Sequence, residues 1–313
     1  MSQRIAWSQL PQQVRAGVEE ILGEAVVEAV SQPGGFSPGS ADRVLLASGR
    51  RAFVKAVSAD ANATSPELHR REAVISAALP TAVPAPKFLG MYDDGTWVAL
   101  VLADVPGRHP QEPWVEAEVS TVLDALAGIV SLQLPSGLEL NRHEESLSQA
   151  FLGWEKLTRR PMDGTDHAMD PWAAAHLAEL AELAQKGVTA LAGNSLVHGD
   201  LRADNILLTE HRAVLLDWPW ADIGSPWSDA LAVLINVKTT APDTNVEHWF
   251  TAHPVFSGAS QDAINGVLAG YAGYFLDMSR RPAPPSITTL RSFQRKQGDA
   301  VLGWLRSRLS QPG

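Results

Sequence analysis

Apolar residues recur at helical spacing over residues 12–22, and the pattern stops at Gly23, the residue type that most often follows a helix end. The period then shortens. Residues 25–31 are rich in valine, and residues 43–47 and 52–57 form two short apolar runs joined by Ser48-Gly49-Arg50-Arg51, which predicts a strand, a loop and a hairpin. Ser65-Pro66-Glu67 opens a helix over 65–79 with a capping residue, a proline in the first turn and a carboxylate at the positive end. Pro80, Pro84 and Pro86 end it. Residues 87–91 and 97–103, separated by Asp93-Asp94-Gly95, predict a second hairpin. The order is therefore β-β-β-α-β-β. From Pro113 the spacing lengthens again, with helices expected over 115–132, 147–157, 172–185, 261–276 and 290–309, interrupted by one β-like insert at 195–216. This predicts an α+β chain: a small sheet domain over 1–103 with one key helix, then a larger, mainly helical domain over 104–313, with the junction near 103–107.

Composition narrows the class. The 313 residues are 45% apolar, enough for a proper core, and no internal repeat or low-complexity tract interrupts them. A formal net charge of −10 disfavours nucleic acid and anionic membrane surfaces and favours a cationic ligand. With no cysteine there is no disulfide framework, thiolate metal site or cysteine nucleophile. No basic leader with an apolar core opens the chain and no run is apolar for the length of a membrane span, so a cytoplasmic location is expected.

The loop Gln32-Pro33-Gly34-Gly35-Phe36-Ser37-Pro38-Gly39-Ser40 contains G-F-S-P-G, which satisfies the nucleophile-elbow pattern of serine hydrolases. An elbow serine needs a strand-to-helix turn in a mainly parallel sheet. Here a strand follows, and only one strand precedes. A glycine-rich loop between antiparallel strands instead allows close backbone approach to a bound group, with free amides directed at phosphate oxygens. An ordinary hairpin turn is the other reading of this loop taken alone.

A second constellation lies in Leu-Val-His-Gly-Asp-Leu-Arg-Ala-Asp-Asn-Ile-Leu-Leu, residues 196–208, followed by residues 214–232 with Asp217 after an apolar run. Residues 206–208 and 214–216 predict a hairpin that brings Asn205 and Asp217 together at one end. Two such oxygen donors suit Mg²⁺, which takes few protein ligands and keeps positions for water and phosphate. Asp200 is placed to accept a proton from a hydroxyl.

An Asp, an Asn five residues on and a metal-binding Asp after a short hairpin follow the logic of a kinase catalytic loop. With His198-Gly199-Asp200 in place of H-R-D, and with "DWPWADIGSPWSDALA" beyond, the chain resembles the aminoglycoside phosphotransferase and choline kinase-like family of small-molecule kinases. The resemblance takes in Lys55 in "AFVKAV", Glu72 in "HRREAVISAAL", "VPAPKFLG" and "ALVLADVPG", in order over roughly residues 25–235. It implies a bilobal protein kinase-like fold, ATP or alternatively GTP as donor, Mg²⁺, and a small-molecule hydroxyl acceptor. It makes Lys55 the contact to the α- and β-phosphates, paired with Glu72, and Asp200 the catalytic base. Asn205 and Asp217 become metal ligands, and Gly34, Gly35 and Ser37 the loop near the phosphates. The backbone around Leu100 to Ala103 would receive the adenine. Glu67 is the rival partner for Lys55: it lies about 140° round a helix from Glu72, so both cannot face the same lysine, and the resemblance favours Glu72, leaving Glu67 in the first turn to serve the helix dipole. His198 is implied to pack and hydrogen-bond, and Asp229 to brace the catalytic loop.

The acceptor is where the residues leave choices open. Asp222, Asp243, Glu247, Asp262 and Asp277 could meet an amine-bearing substrate such as an aminoglycoside, though as isolated acids they read first as solvated surface charge. Trp218, Trp220 and Trp227 could form an aromatic wall or simply pack. A resistance role and a metabolic role are equally compatible with this. A non-catalytic nucleotide-binding regulator is the alternative from another class. A protein kinase is weaker, because little chain between Asp217 and "GSPWSDALA" is left for an activation loop.

Overall fold

The structure, a computed structural model, describes residues 5–32, 39–60, 62, 64–159, 169–284 and 288–310. The chain divides into two compact units. One comprises Met1–Pro110, Gln133–Leu138 and Asp204–Trp220; the other comprises Gln111–Leu132, Glu139–Ala203 and Ala221–Gly313.

The first unit is built on an antiparallel sheet in the order β1-β2-β3-β5-β4. Its strands are β1 (Val26–Ser31), β2 (Ser40–Leu46), β3 (Arg51–Ser58), β4 (Phe88–Asp93) and β5 (Trp97–Ala103). Period-two alternation gives the sheet two different faces. Ala52, Val54, Ala56, Ala99 and Val101 pack on Val14, Val18 and Leu22 of α1 (Gln12–Leu22), which ends at Gly23 in the left-handed conformation, φ 72°. On the opposite face Val98 and Leu100 pack on Ala73 of α2 (Ser65–Ala78). A hairpin of β7 (Ile206–Leu208) and β8 (Ala213–Leu215) joins this unit, held by Leu215 N–H to Pro84 C=O at 2.7 Å and by Arg108 pairing with Leu208. Gly34, Gly35 and Ser37 lie outside the described residues. The strands on either side of them are antiparallel neighbours, without the strand-to-helix context of a nucleophile elbow.

The second unit is mainly helical. Its helices are α3 (Glu116–Ala127), α4 (His143–Ser148), α5 (Gly153–Arg159), α6 (Pro171–Ala175), α7 (Leu177–Ala190), α8 (Ser228–Thr240), α9 (Trp249–Ala252), α10 (Gln261–Ser279) and α11 (Leu290–Leu309). Helix α10 is the centre, with α5, α7 and α11 packed on it. It meets α7 through glycines on both sides: a Cβ on Gly187 would stand 2.3 Å from the Gly266 carbonyl oxygen. The helix expected over 147–157 is instead two, α4 and α5, because Gly153 lies against the α10 backbone at Gly273. The pattern over 172–185 likewise divides at His176. Helix α8 was not expected, since ten of its residues are buried and no polar face marks its period. The short β6 (Ser195–Val197) and β9 (Asp222–Gly224) pair antiparallel. Among the described residues no helix is long and apolar enough to cross a membrane.

Candidate functional site

In the first unit, Lys55 occupies the middle of β3 on the face turned toward α2, with Leu100 as its β5 partner. Glu72, 2% exposed on α2, is ion-paired with its ammonium, and Asp217 Oδ1 lies 2.6 Å from the same nitrogen. Burial opposes the charge on Lys55, but the carboxylates of Asp217 and Glu72 together outweigh it and hold the pKa above the ordinary lysine value. For Glu72 burial wins: the pKa is pushed up to about 7, against the pull of Lys55 and with the nearby Asp217 charge adding to the rise. The rival Glu67 is exposed and pairs with Arg70 at 2.6 Å. One turn before Glu72, His69 is buried with Nδ1 3.0 Å from the Ser65 carbonyl; burial, then the Lys55 charge, lowers its pKa to about 3. It is buried and within electrostatic reach of Lys55, and no motif in the sequence marks it.

The β7–β8 hairpin closes on the other two donors. Leu216 N–H donates to the Asn205 carbonyl at 2.8 Å, setting the residue before Asp217 against Asn205. Asn205 is buried, while the Asp217 side chain is 44% exposed. Asp217 has φ 66°, and it is the one described non-glycine residue with positive φ. Such a conformation costs on the order of 1–3 kcal/mol and persists where the surroundings impose it. One carboxylate and one amide are a donor set that fits Mg²⁺ completed by water and phosphate oxygens. They would not fit zinc, and among the described residues no group of three or more His, Cys, Asp or Glu side chains is placed to hold a metal. Leu100 lies inside β5 between Lys55 and Met91, its side chain buried beside Ala73; Ala103 ends the strand and donates to the Lys87 carbonyl at 2.8 Å.

In the second unit, Asp200 follows β6. The Asp229 carboxylate, in the first turn of α8, accepts the amides of His198 at 2.6 Å and Gly199 at 3.1 Å. Gly199 has φ 81°, which only glycine adopts at little cost, and this turn presents Asp200. The fully buried His198 accepts the Asp200 amide through Nδ1 at 3.3 Å, so that ring nitrogen carries no proton. Asn236 Oδ1 accepts from Ala203 N–H at 3.2 Å and Trp114 Nε1 at 2.9 Å, a second brace of the same loop hidden in the unmarked α8. Arg202 is ion-paired with the Asp200 carboxylate. Tyr271 and Tyr274 have pKa values raised first by burial; Asp229 and Asp200 add to the rise for Tyr271, and Asp200 for Tyr274.

Of the five acids weighed for an amine-bearing acceptor, three have other attachments, while Asp243 and Asp262 are exposed. Asp222 is buried 3.2 Å from His143 Nδ1, Asp277 is buried and paired with Arg281, and Glu247 is bound by Arg308 and by Trp304 Nε1 at 2.6 Å. Trp218 and Trp227 are buried packing residues, and Trp220 is 47% exposed.

Lys55, Glu72, Asp200, Asn205 and Asp217 all lie within a stretch of the chain that matches a known family. The chain belongs to the phosphotransferase enzyme family, whose pattern its residues 35–257 match. Among solved structures it is similar to a thermostable mutant of the aminoglycoside phosphotransferase APH(4)-Ia, in ternary complex with AMP-PNP and hygromycin B: TM-score 0.61, 14% identity, 96% of this chain and 100% of that one. It is also similar to an aminoglycoside phosphotransferase from Alicyclobacillus acidocaldarius, with TM-score 0.59 and 16% identity over 96% of each chain. A choline/ethanolamine kinase family protein from Mesorhizobium loti gives TM-score 0.57 and 14% identity over 96% of this chain and 95% of that one. These likenesses show a shared kinase-like α+β fold. Among curated proteins no sequence matches the chain.

Proposed function

We propose that the protein transfers the γ-phosphoryl group of ATP to a hydroxyl of a small molecule. The observation that carries this reading is Lys55, buried and held as a cation between Glu72 and Asp217. A cation fixed this way is suited to phosphate oxygens, and phosphoryl transfer is accelerated mainly by positioning and charge neutralisation. Asn205 and Asp217 would hold Mg²⁺, which when bound neutralises charge on the phosphates. The acceptor oxygen forms a bond to the γ-phosphorus, the bond from that phosphorus to the β–γ bridging oxygen breaks, and ADP leaves. The hydroxyl proton goes to Asp200, whose carboxylate is presented by the Asp229-braced turn. Gly34, Gly35 and Ser37 would serve the phosphates, and the backbone from Leu100 to Ala103 the adenine.

The test is ADP release with Mg·ATP against a panel of hydroxyl compounds, with Asp200→Asn as the blank. Acceptor-dependent release that falls at least a hundredfold in the blank supports the reading. Equal loss of ATP binding in Asp200→Asn would remove Asp200 from the role of base.

A further inference from the structure

We propose that the acceptor carries an anionic group, a phosphate or a carboxylate, beside the hydroxyl that is phosphorylated, and that Arg281 and Arg291 receive it. This rests on the phosphotransferase reading above and names its substrate class. The residues concerned all belong to the helical unit. Tyr274 and Asp277 stand one turn apart on α10, and Arg281 follows the last turn of that helix, ion-paired with Asp277. Arg291, at the start of α11, binds the carbonyl of Pro282, the residue after Arg281, through Nε at 3.1 Å and Nη2 at 3.0 Å, and its guanidinium is within electrostatic reach of Arg281. Its remaining contact is Gln294 Oε1 at 2.7 Å. Among the described residues no carboxylate lies within ion-pair distance of Arg291. Burial and then the Arg281 cation hold its pKa below the ordinary guanidinium value against the weaker opposing pull of Tyr274 and Asp277.

Arg281 supplies a second, independent sign. Its Nε is buried and finds no acceptor among the described residues, a costly state for a charged donor. The link to the reacting group runs through Tyr274, whose phenol is within electrostatic reach of Asp200 and of Arg281, Arg291 and Arg202, the last of them ion-paired with Asp200. Three guanidinium groups and two carboxylates, Asp200 and Asp277, leave this cluster with one net positive charge. A guanidinium pair is matched to phosphate and carboxylate oxygens, and each additional amine on an acceptor would be repelled. Of the acids weighed for an aminoglycoside, Asp222 is engaged with His143, Glu247 with Arg308 and Asp277 with Arg281.

The experiment uses the full chain with Mg·ADP for binding and Mg·ATP for turnover. Matched probes are glucose 6-phosphate against glucose, glycerol 3-phosphate and glycerate against glycerol, and hygromycin B as the polycation. Calorimetry is run on the native protein, Arg291→Gln and Arg291→Lys, with melting curves to confirm that the variants fold. We expect at least one anionic probe to bind ten or more times tighter than its uncharged partner. Arg291→Gln should erase that preference, Arg291→Lys should restore part of it, and the anionic probe should release ADP. Binding dependent on Arg291 with no ADP release from any compound would uphold the anion site and sink the phosphotransferase reading. Turnover confined to hygromycin B or the uncharged compounds would sink the anion site and uphold the phosphotransferase. Absence of both binding and turnover would overturn both.

Discussion

Removing the ammonium of Lys55 leaves Glu72, 2% exposed, as a buried carboxylate without its cation. Breaking one partner of such a pair costs about 3–5 kcal/mol. We expect Lys55→Met to lie at the lower end in chemical denaturation at pH 8, because Glu72, already pushed up to about 7, can escape by taking a proton. The double variant Lys55→Met with Glu72→Leu should recover most of that stability and none of the turnover. Recovery of turnover would show that Lys55 is structural only. His69 offers a pH test with the opposite logic. Its folded pKa of about 3 lies below the unfolded value near 6.5, so its contribution is fully present above 6.5 and is lost as pH falls from 6.5 toward 3. The slope is up to about 1.4 kcal/mol per pH unit. Denaturation curves of the native protein minus those of His69→Phe should show stability falling between pH 6.5 and 5; a flat difference would mean that the histidine charges in the folded state.

At the scale of elements, the crossing of α7 and α10 depends on absent side chains. Gly187→Val would drive a branched side chain into the Gly266 backbone, and we expect a loss of about 1–3 kcal/mol or more and a lower melting temperature. Gly303→Ala in α11, where nothing stands within 4 Å of the new methyl, should instead gain about 0.5–1 kcal/mol. Equal effects at the two positions would rule out the crossing as the cause. The same contrast explains what could be read from the chain alone. The strands, α1 and α2 were legible because alternation and caps are local signals, and Glu72 over Glu67 followed from helix geometry joined to the family resemblance. The division into α4 and α5 was not, because it is imposed by Gly273, more than a hundred residues away. Nor was α8, whose uniform burial erases the contrast that a period needs. Arg202, Arg281 and Arg291 carry no common spacing: Arg281 follows Tyr274 just past the end of α10, the packing of α11 on α10 adds Arg291, and Arg202 comes from the Asp200 loop.

For the molecule as a whole, the proposed division of labour predicts which variants uncouple binding from chemistry. A ligand that binds only the folded state stabilises it by RT ln(1 + [L]/Kd), about 2.7 kcal/mol at a hundred times Kd. Mg·ATP at that level should therefore raise the melting temperature of the 313-residue chain by a few degrees, and chelation of Mg²⁺ should cancel most of the rise. Asp217→Ala removes a proposed metal donor and one of the two carboxylates on Lys55, so the shift should largely disappear even though the side chain is 44% exposed and little packing is lost. Asp200→Asn keeps the turn braced by Asp229, because that brace holds the amides of His198 and Gly199 and not the carboxylate. Its shift should equal that of the native protein while turnover falls on the order of a hundredfold to ten-thousandfold. Thermal melts of the three proteins, with and without Mg·ATP, measure the outcome directly. A shift lost equally in Asp200→Asn and Asp217→Ala would mean that Asp200 helps to hold the nucleotide, and the assignment of the proton to its carboxylate would then have to be withdrawn.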